Sequence, residues 1–265
     1  MSAMQTILQI LAEAAAERTA THKRVRSLDS LRRDAEALPH SGFRFEQALR
    51  KDDLAFICEC KKASPSKGLI APDFPYLQIA KDYESAGADC ISVLTEPTQF
   101  LGDDRYLAEI AAAVRIPCLR KDFTVDPYMI YEAKLLGASA VLLICAILDK
   151  SQISEYHMIA DSLGLSAIVE AHDEREIECA AGAGARIIGV NNRNLHDFSV
   201  DPNRAAALRK YAPAETLFVA ESGMKTPADI QAARNGGADA VLIGETLMRA
   251  PDKAAKLNEL KGCTA

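Results

Sequence analysis

The chain has 265 residues, of which 49% are hydrophobic and 26% charged, and its formal net charge is −6. This length accommodates one large domain with a sizeable core, and the composition is that of an ordinary globular protein. The negative charge argues against a nucleic-acid-binding surface, which usually needs a basic face, but it permits a small anionic ligand held by local lysines and backbone N–H groups.

The first 48 residues contain two predicted amphipathic helices, Ile7–Arg18 and Leu28–Leu38. A regular alternation of strands and helices follows over residues 49–265, so we interpret residues 1–48 as a helical extension of a single domain. Two roles are open for this extension. Its helices either pack as a cap over one end of the domain or act as a lid that bears on the functional site.

From about Leu54 onwards, a short apolar run rich in Val, Ile and Leu alternates with an amphipathic helix through eight units. The predicted strands are Ala55–Lys61, Cys90–Thr95, Pro117–Lys121, Ala140–Ala146, Ser166–Ala171, Arg186–Asn191, Leu217–Ser222 and Ala240–Gly244. The predicted helices are Asp73–Ala86, Asp103–Val114, Pro127–Leu136, Lys150–Leu163, Asp173–Ala183, Asn203–Tyr211, Pro227–Asn235 and Asp252–Leu260. N-capping residues are predicted at Asp103, Asp126, Asp173 and Thr226.

Near-continuous apolar strands between helices are typical of a parallel sheet that is covered on both faces. Eight such units favour closure into a (β/α)₈ (TIM) barrel of the α/β class. The alternative is an open doubly wound sheet, which usually carries a G-x-G-x-x-G turn after its first strand. Here the first strand is followed by Lys-Ala-Ser-Pro-Ser-Lys-Gly at residues 62–68, and this difference favours the barrel.

Polar residues end several of the apolar runs, where barrels of this kind place their active sites. They are Glu59, Lys61, Lys121, Glu170, Asn191, Arg193, Glu221 and Ser222. Lysines and carboxylates that converge on one mouth perturb each other's pKa values, as general acid–base chemistry requires.

Strand alternation predicts which of these side chains face the barrel interior. Glu59 and Lys61 share one face of the first strand, and we expect it to be the inner face, because the opposite register would bury two charges under helices. Cys58 and Cys60 then point towards the helices. Glu221 and the adjacent Ser222 both face inward only if the backbone twists at the end of the strand.

The ends of the last two strands also resemble a phosphate-binding site. Gly223 and Gly244 follow the seventh and eighth predicted strands, where barrels frequently bind phosphate with backbone N–H groups. Ser64 and Lys67 in the loop after the first strand add a hydroxyl group and a positive charge. The alternative is that each glycine only permits a turn.

Other classes of site find little support in the sequence. The seven cysteines are scattered, mostly within apolar runs, which predicts free thiols in a reducing compartment. The five histidines form no paired ligand motif, so we expect no metal and no other cofactor. The longest apolar run, Ala140–Leu148, is too short to cross a bilayer, and the N-terminus carries no secretory signal pattern. These features predict a cytoplasmic protein that binds neither membranes nor nucleic acid.

Five runs of residues carry a resemblance to a known family. They are Glu59–Gly68, Ser92–Pro97, Leu119–Phe123, Ile188–Leu195 and Ala220–Gly223. In order and spacing they closely resemble indole-3-glycerol-phosphate synthase, and they extend across more than half of the chain. The helical extension before the barrel is similar to that of the family as well. Cys60 stands where a more usual residue is aliphatic, and the segment Ser41–Phe45 does not align residue by residue.

The resemblance implies an activity and assigns catalytic roles. The reaction is ring closure of 1-(2-carboxyphenylamino)-1-deoxyribulose 5-phosphate with loss of CO₂ and water. Lys121 matches the principal general acid, and Lys61 matches a lysine that contacts the substrate and shares in proton delivery. Glu170 matches a carboxylate that stabilises positive charge and assists proton removal. Glu59 matches a carboxylate that orients the lysines, and Asn191 matches a polar group that anchors the substrate.

The resemblance also implies which residues bind the substrate. Glu221 and Ser222 line the same mouth, and Arg193 either contacts a substrate carboxylate or orders the site. Phe100 and Leu142 flank the aromatic ring. The phosphate lies near the residues Ser64, Gly223, Gly244 and Glu245. The implied partner is a phosphorylated small molecule, and we expect a monomer that associates at most weakly with other enzymes of its pathway.

Two alternatives differ from this interpretation in testable ways. A phosphoribosylanthranilate isomerase shares the phosphate loops but is expected to use a Cys/Asp acid–base pair. Cys58 and Cys60 are predicted on the wrong face for that role, and Lys121 would have no purpose. A non-catalytic barrel that serves as a partner subunit would be expected to lack Lys121, Lys61 or Glu170, and all three are present.

Overall fold

Eight parallel strands close into a barrel in the computed structural model, which describes residues 6–194 and 197–262. The strands of this part of the chain are β1 (Ala55–Cys60), β2 (Ala63–Ser64), β3 (Gly68–Leu69), β4 (Cys90–Leu94), β5 (Cys118–Lys121), β6 (Ala140–Ile144), β7 (Ser166–Ala171), β8 (Ile187–Asn191), β9 (Leu217–Glu221) and β10 (Ala240–Ile243). β1 pairs with both β4 and β10, which completes the barrel. β2 and β3 form a small antiparallel hairpin in the loop after β1.

Helices alternate with the barrel strands and also precede them. They are α1 (Ile7–Val25), α2 (Leu28–Glu36), α3 (Arg44–Leu49), α4 (Tyr76–Ser85), α5 (Asp104–Ala113), α6 (Pro127–Leu135), α7 (Lys150–Ser162), α8 (Glu174–Gly182), α9 (Arg204–Leu208), α10 (Pro227–Asn235), α11 (Glu245–Arg249) and α12 (Lys253–Lys261). A 3₁₀ helix, Arg209–Tyr211, follows α9. No helix in the described ranges has the length and apolar character needed to cross a membrane.

The predicted barrel is confirmed, and the predicted barrel strands are all present with small differences at their ends. The predicted capping residues are confirmed too, because the side chain of each accepts a hydrogen bond from a backbone N–H in the first turn of its helix. The first helix differs, since it continues to Val25 rather than ending at Arg18. The predicted helix Asn203–Tyr211 is divided between α9 and the 3₁₀ helix.

Two short helices and one hairpin were not predicted. α3 begins after Phe43, which has a φ of 54° and offers no side-chain cap, so no sequence signal marks its start. α11 has five residues and the β2–β3 hairpin has two residues in each strand, lengths at which hydrophobic periodicity carries little information.

Strand alternation separates two apolar layers, as expected. Ala55 and Ile57 of β1 belong to the cluster inside the barrel, whereas Cys58 and Cys60 belong to the cluster between the barrel and its helices. The predicted orientation of the two cysteines is therefore confirmed. The six cysteines within the described ranges are free thiols, and Cys263 lies outside those ranges, as do His196 and Leu195.

The helical extension contacts both ends of the barrel. At the N-terminal ends of the strands, Phe45 and Leu49 of α3 join the inner apolar cluster, and the Glu46 carboxylate accepts a hydrogen bond from Arg186 at 2.8 Å. At the other end, Leu11 of α1 joins the same cluster. α3 thus packs as a cap, and α1 borders the barrel mouth. A lid motion of α1 stays a prediction.

α1 is attached to one segment of the barrel by three side-chain contacts. Arg18 donates two hydrogen bonds to Asp122, at 2.8 and 2.7 Å, while His22 and Lys23 contact Glu132 and Asp126 at 2.9 and 2.6 Å. The three carboxylates lie in the segment directly after β5. Because β5 ends at Lys121, the position of α1 is coupled to the strand that carries this lysine.

Candidate active site

A cavity of about 410 Å³ opens at the C-terminal ends of the barrel strands. It is lined by every site residue predicted from the sequence, namely Glu59, Lys61, Ser64, Phe100, Lys121, Leu142, Glu170, Asn191, Arg193, Glu221, Ser222, Gly223, Gly244 and Glu245. The structure therefore brings residues from all eight barrel strands, or from the loops after them, into one space. Their chemical roles stay predictions.

Glu59 and Lys61 form a buried ion pair on one wall of this cavity. The Lys61 Nζ and Glu59 Oε2 atoms are 2.6 Å apart, and the Glu59 side chain is 5% exposed. Gly244 at the end of β10 lies directly against the pair, because a Cβ atom there would be 2.9 Å from Lys61 Nζ and closer still to Glu59 Oε2. Glycine at this position is what leaves room for the pair.

Lys121 lies between two buried carboxylates. Its Nζ atom is 3.2 Å from Glu170 Oε2 and 3.5 Å from Glu221 Oε2. Burial alone lowers the pKa of the Lys121 ammonium group. The charge of Glu170, together with that of Glu221 when this carboxyl group is ionised, outweighs burial and raises that pKa well above its usual value. Lys121 is therefore protonated at neutral pH and has a proton to donate.

The two carboxylates that flank Lys121 differ in their partners. Burial raises the pKa of Glu170, yet Lys121 and then His172 lower it more strongly, so this carboxyl group is ionised. Burial raises the pKa of Glu221 to about 7, with Lys121 opposing the shift. Glu221 Oε1 has no hydrogen-bond partner among the described residues. Because the pKa of Glu170 is lowered and that of Glu221 is raised, Glu170 is suited to act as a base and Glu221 as an acid.

Asn191 and Arg193 come from the end of β8 and the loop after it. Asn191 Nδ2 donates a long hydrogen bond of 3.4 Å to Glu170 Oε1, and Asn191 Oδ1 accepts a hydrogen bond from the Arg193 backbone at 3.0 Å. One amide side chain thus connects the Glu170 carboxylate to the loop that carries Arg193.

The adjacent residues Glu221 and Ser222 both line the cavity, and the backbone explains how. Ser222 has a φ of 65°, in the left-handed region that non-glycine residues rarely adopt. Strand alternation directs Glu221 inward, and the reversal at Ser222 turns the next residue into the same mouth. The expected twist at this strand end is present.

Three cationic side chains surround Glu245 at the end of the cavity formed by the loops after β1, β8 and β10. Lys67, Arg193 and Arg249 lie 3.9, 3.7 and 3.1 Å from its carboxylate oxygens. Gly223, in the loop after β9, lines the same cavity with a φ of 88°. Cationic side chains beside a glycine-containing loop are suited to an anionic group such as phosphate.

The opposite wall is apolar. Phe100 and Leu142 were predicted there, and Phe123 packs near Phe100 with ring centroids 6.2 Å apart. Leu8 and Leu11 of α1 complete the wall. Sequence reasoning did not find Leu8 and Leu11, because their spacing signals only an amphipathic helix. Phe123 had a signal, since it stands two residues after Lys121.

His172 is another residue that sequence reasoning did not assign to the site. It stands two residues after Glu170, just beyond the end of β7, and this closeness in sequence was an available signal. Its ring does not line the cavity, but Nε2 is 3.3 Å from Glu170 Oε1.

One group of side chains outside the cavity has a spacing that suits a metal ion. His22, Asp104 and Glu132 offer ligand atoms within 4.8 Å of one another. Arg120 donates hydrogen bonds of 2.7 and 2.8 Å to the two carboxylates. Because a guanidinium group already neutralises this cluster, its residues fit an ion-pair network better than a metal site.

The barrel and its cavity together define the class of this protein. Paired lysines and carboxylates at the C-terminal ends of the strands, beside loops suited to phosphate, are those of a (β/α)₈-barrel enzyme. A solved structure titled 3-hexulose-6-phosphate synthase has this fold, with a TM-score of 0.65 and 17% identity, and the match covers 80% of this chain and 100% of that one. At that identity the likeness extends to the fold alone.

Sequence comparison identifies the family. The model of the indole-3-glycerol phosphate synthase family matches residues 7–260. The chain is 55% identical to the indole-3-glycerol phosphate synthase of Ruminiclostridium cellulolyticum, with 97% of this chain and 99% of that protein covered. It is 48% identical to the enzyme of the same name from Leuconostoc mesenteroides, with the same coverage. The chain belongs to the indole-3-glycerol phosphate synthase family, so the resemblance noted in the sequence is confirmed.

Proposed function

We propose that this cavity closes the indole ring of indole-3-glycerol phosphate, starting from 1-(2-carboxyphenylamino)-1-deoxyribulose 5-phosphate, as a step of tryptophan biosynthesis. The observation that carries the proposal is the position of Lys121, whose Nζ atom lies between the carboxylates of Glu170 and Glu221 inside the cavity. A family member with this arrangement has an acid and a base at the place where the reaction needs both.

The substrate lies across the cavity in one orientation. Its phosphate group lies near Ser64, Gly223 and Gly244, where Lys67 and Arg193 supply positive charge. Its aromatic ring lies against the apolar wall, between Phe100 and Leu142. The reacting ketone then lies between these ends, beside the lysines. Arg193 either binds the substrate carboxylate or orders the loop, as the resemblance leaves open.

The first step forms a carbon–carbon bond. The ring carbon that bears the carboxylate attacks the ketone carbon, and the ketone oxygen takes a proton from Lys121. The ionised Glu170 lies beside Lys121 and therefore beside the reacting ketone. Its negative charge stabilises the positive charge that develops on the substrate. Loss of CO₂ then returns an electron pair to the ring and restores its aromaticity.

The second step is dehydration. The new hydroxyl group leaves as water after it takes a proton from a lysine, and Lys61 is placed beside Glu59 to share this delivery. Glu170 accepts the proton that leaves the neighbouring CH₂ carbon, which completes the indole. Asn191, hydrogen-bonded to Glu170, holds the carboxylate in place and anchors the substrate.

The direct test is to incubate the protein with this substrate and follow the indole chromophore. We expect turnover by the unmodified protein and a loss of at least about 10²-fold in Lys121→Ala, the contribution typical of a general acid. Lys51→Ala is a matched control, because Lys51 also pairs with a carboxylate, Asp89, but at the opposite end of the barrel. Circular dichroism checks that both variants are folded. Near-normal turnover in Lys121→Ala would remove the assigned acid.

We also propose that the protein acts as a monomer in the cytoplasm, with at most weak association with other enzymes of the pathway. The exposed large apolar side chains of the described residues are distributed over separate elements, such as Val25 on α1 and Met158 on α7. Light scattering at increasing protein concentration tests this, and a mass that stays at twice the chain mass on dilution would contradict it.

A further inference from the structure

His172 lies between two carboxylates just outside the cavity. Its Nε2 atom is 3.3 Å from Glu170 Oε1, and its Nδ1 atom is 3.1 Å from Glu176 Oε2. The side chain is 16% exposed and does not line the cavity. His172 therefore acts on the reaction only through its neighbours.

Both ring nitrogens of His172 lie near carboxylate oxygens, and this arrangement favours the cationic form of the ring. A neutral imidazole carries one N–H group, so its other nitrogen would present a lone pair to a carboxylate. Only the cation places an N–H group towards each. The contact with Glu170 is an ion pair without hydrogen-bond geometry, and Nε2 has no hydrogen-bond acceptor among the described residues.

The start of α8 holds this arrangement rigid. Glu176 Oε2 accepts a hydrogen bond of 2.8 Å from the His172 backbone, in addition to its contact with the ring. The Glu176 backbone N–H donates to the capping residue Asp173, also at 2.8 Å. The carboxylate that fixes the His172 ring is thus itself fixed by the first turn of a helix.

We propose that His172 is a cationic positioning residue that keeps Glu170 ionised. This inference rests on the proposed function and assigns the origin of the difference between the two carboxylates that flank Lys121. Both contact Lys121, at 3.2 and 3.5 Å, but Glu170 alone has a second cation within 3.3 Å. Without that cation, the two carboxylates compete for one proton.

The surrounding charges agree with a cationic ring. The charged groups that act on His172 are Glu170 on β7 and Glu176 in the first turn of α8. Lys121 on β5 contacts Glu170 from the other side, and Glu221 on β9 also interacts with His172. Burial lowers the pKa of His172, but Glu170 and Glu176 outweigh burial and raise it to about 10.

A second buried histidine provides a contrast. His157 on α7 lies 3.5 Å from Asp161, but Arg186 already binds both oxygens of that carboxylate at 2.8 Å. Burial lowers the pKa of His157, with Asp161 opposing the shift. His157 is therefore neutral at pH 7.5, whereas His172 is cationic.

The first test measures these charges directly in the unmodified protein. With ¹⁵N-labelled histidine, NMR spectra of the ring nitrogens report protonation, and the spectrum of His172→Gln assigns the signals of His172. We expect both nitrogens of His172 to be protonated at pH 7.5 and to remain so up to about pH 9. A neutral His172 ring at pH 7.5 would overturn the inference, whatever the enzyme activity.

The second test is the pH profile of kcat. In His172→Gln the acidic limb should move to higher pH by about one to three units, because Glu170 loses the cation that keeps it ionised. His172→Lys, which restores a positive charge, should return the limb towards its original position. His157→Gln is the matched control and should leave the profile unmoved. An unmoved limb in His172→Gln would refute the positioning role.

The outcomes separate this inference from the proposed function. If the unmodified protein does not turn over the carboxyphenylamino substrate, the proposed function fails, and the NMR measurement still decides the charge of His172. If it does turn over the substrate but the limb does not move in His172→Gln, the inference fails alone.

Discussion

Replacing Gly244 with alanine should damage the active site without unfolding the barrel. A Cβ atom at this position would lie 2.9 Å from Lys61 Nζ and 3.2 Å from Glu59 Cδ, and nearer still to Glu59 Oε2, whereas 3.4 Å or more is ordinary contact. The φ of Gly244 is −117°, so the backbone itself accepts alanine. To relieve this steric clash, the Glu59 Oε2 atom must move by about 1 Å, and Lys61 must move with it.

A displacement of that size is large for a catalytic pair. Misplacement of a catalytic group by about 1 Å costs about 10²-fold in rate, which corresponds to about 2.7 kcal/mol of transition-state stabilisation. We expect kcat/KM for indole formation to fall by about this factor in Gly244→Ala, with a melting temperature near that of the unmodified protein. Steady-state kinetics with the carboxyphenylamino substrate and a thermal melt measure both quantities.

Gly182→Ala is the matched control. Gly182 ends α8, and a Cβ atom there would meet only the flexible Lys150 side chain, 2.8 Å from its Nζ atom. Activity should be unchanged in this variant, and stability should hold or rise slightly, because alanine is the better helix former. If Gly244→Ala keeps normal kcat/KM, the positions of Glu59 and Lys61 do not control the reaction.

Two further predictions concern stability. Because burial raises the pKa of Glu221 to about 7, the folded protein binds a proton that the unfolded chain releases near pH 4.5. The resulting stabilisation is complete at low pH and is lost as the pH rises through about 7. The unfolding free energy should therefore fall by up to about 3 kcal/mol between about pH 5 and 8 because of this group, and Glu221→Gln should abolish that part of the decrease. Urea denaturation at several pH values measures it, and parallel profiles for the two proteins would contradict the prediction. Arg18→Ala should lower the unfolding free energy by about 2 kcal/mol, because Asp122 is fully buried and loses two hydrogen bonds from a charged group. Arg32→Ala, which breaks an exposed and solvent-screened pair within α2, should cost much less. Equal effects in these two variants would show that α1 is not held by Arg18.

Strand periodicity explains why much of the site was predictable. Side chains alternate with a period of two, so once Leu119 and Ile168 are placed inside the barrel, Lys121 and Glu170 must follow at its mouth. The same rule separated Glu59 from the cysteines on either side of it. Once the barrel closes, the ends of strands that are far apart in the sequence come together at one mouth, so no further signal was needed to predict that these side chains meet.

The rest of the site and the docking of α1 could not be predicted, because they depend on contacts between distant residues that leave no local sequence pattern. Arg18 and Asp122 are separated by 104 positions, and nothing near either residue signals the pair. Leu8 and Leu11 look like the apolar face of any amphipathic helix, and their place in the cavity wall follows from how α1 docks. The different protonation of Glu170 and Glu221 depends on His172, whose partner Glu176 belongs to the next helix.

The contacts of the helical extension set the order in which its two ends can dock during synthesis at the ribosome. α3 is made early, yet its Glu46 binds Arg186, which lies 140 positions later, and α1 has no docking site until Asp122 has emerged. The barrel itself closes only when β10, the last of its strands in chain order, reaches β1. The extension is therefore made before the segments on which it docks, and its apolar faces stay unburied in the nascent chain until those segments have emerged.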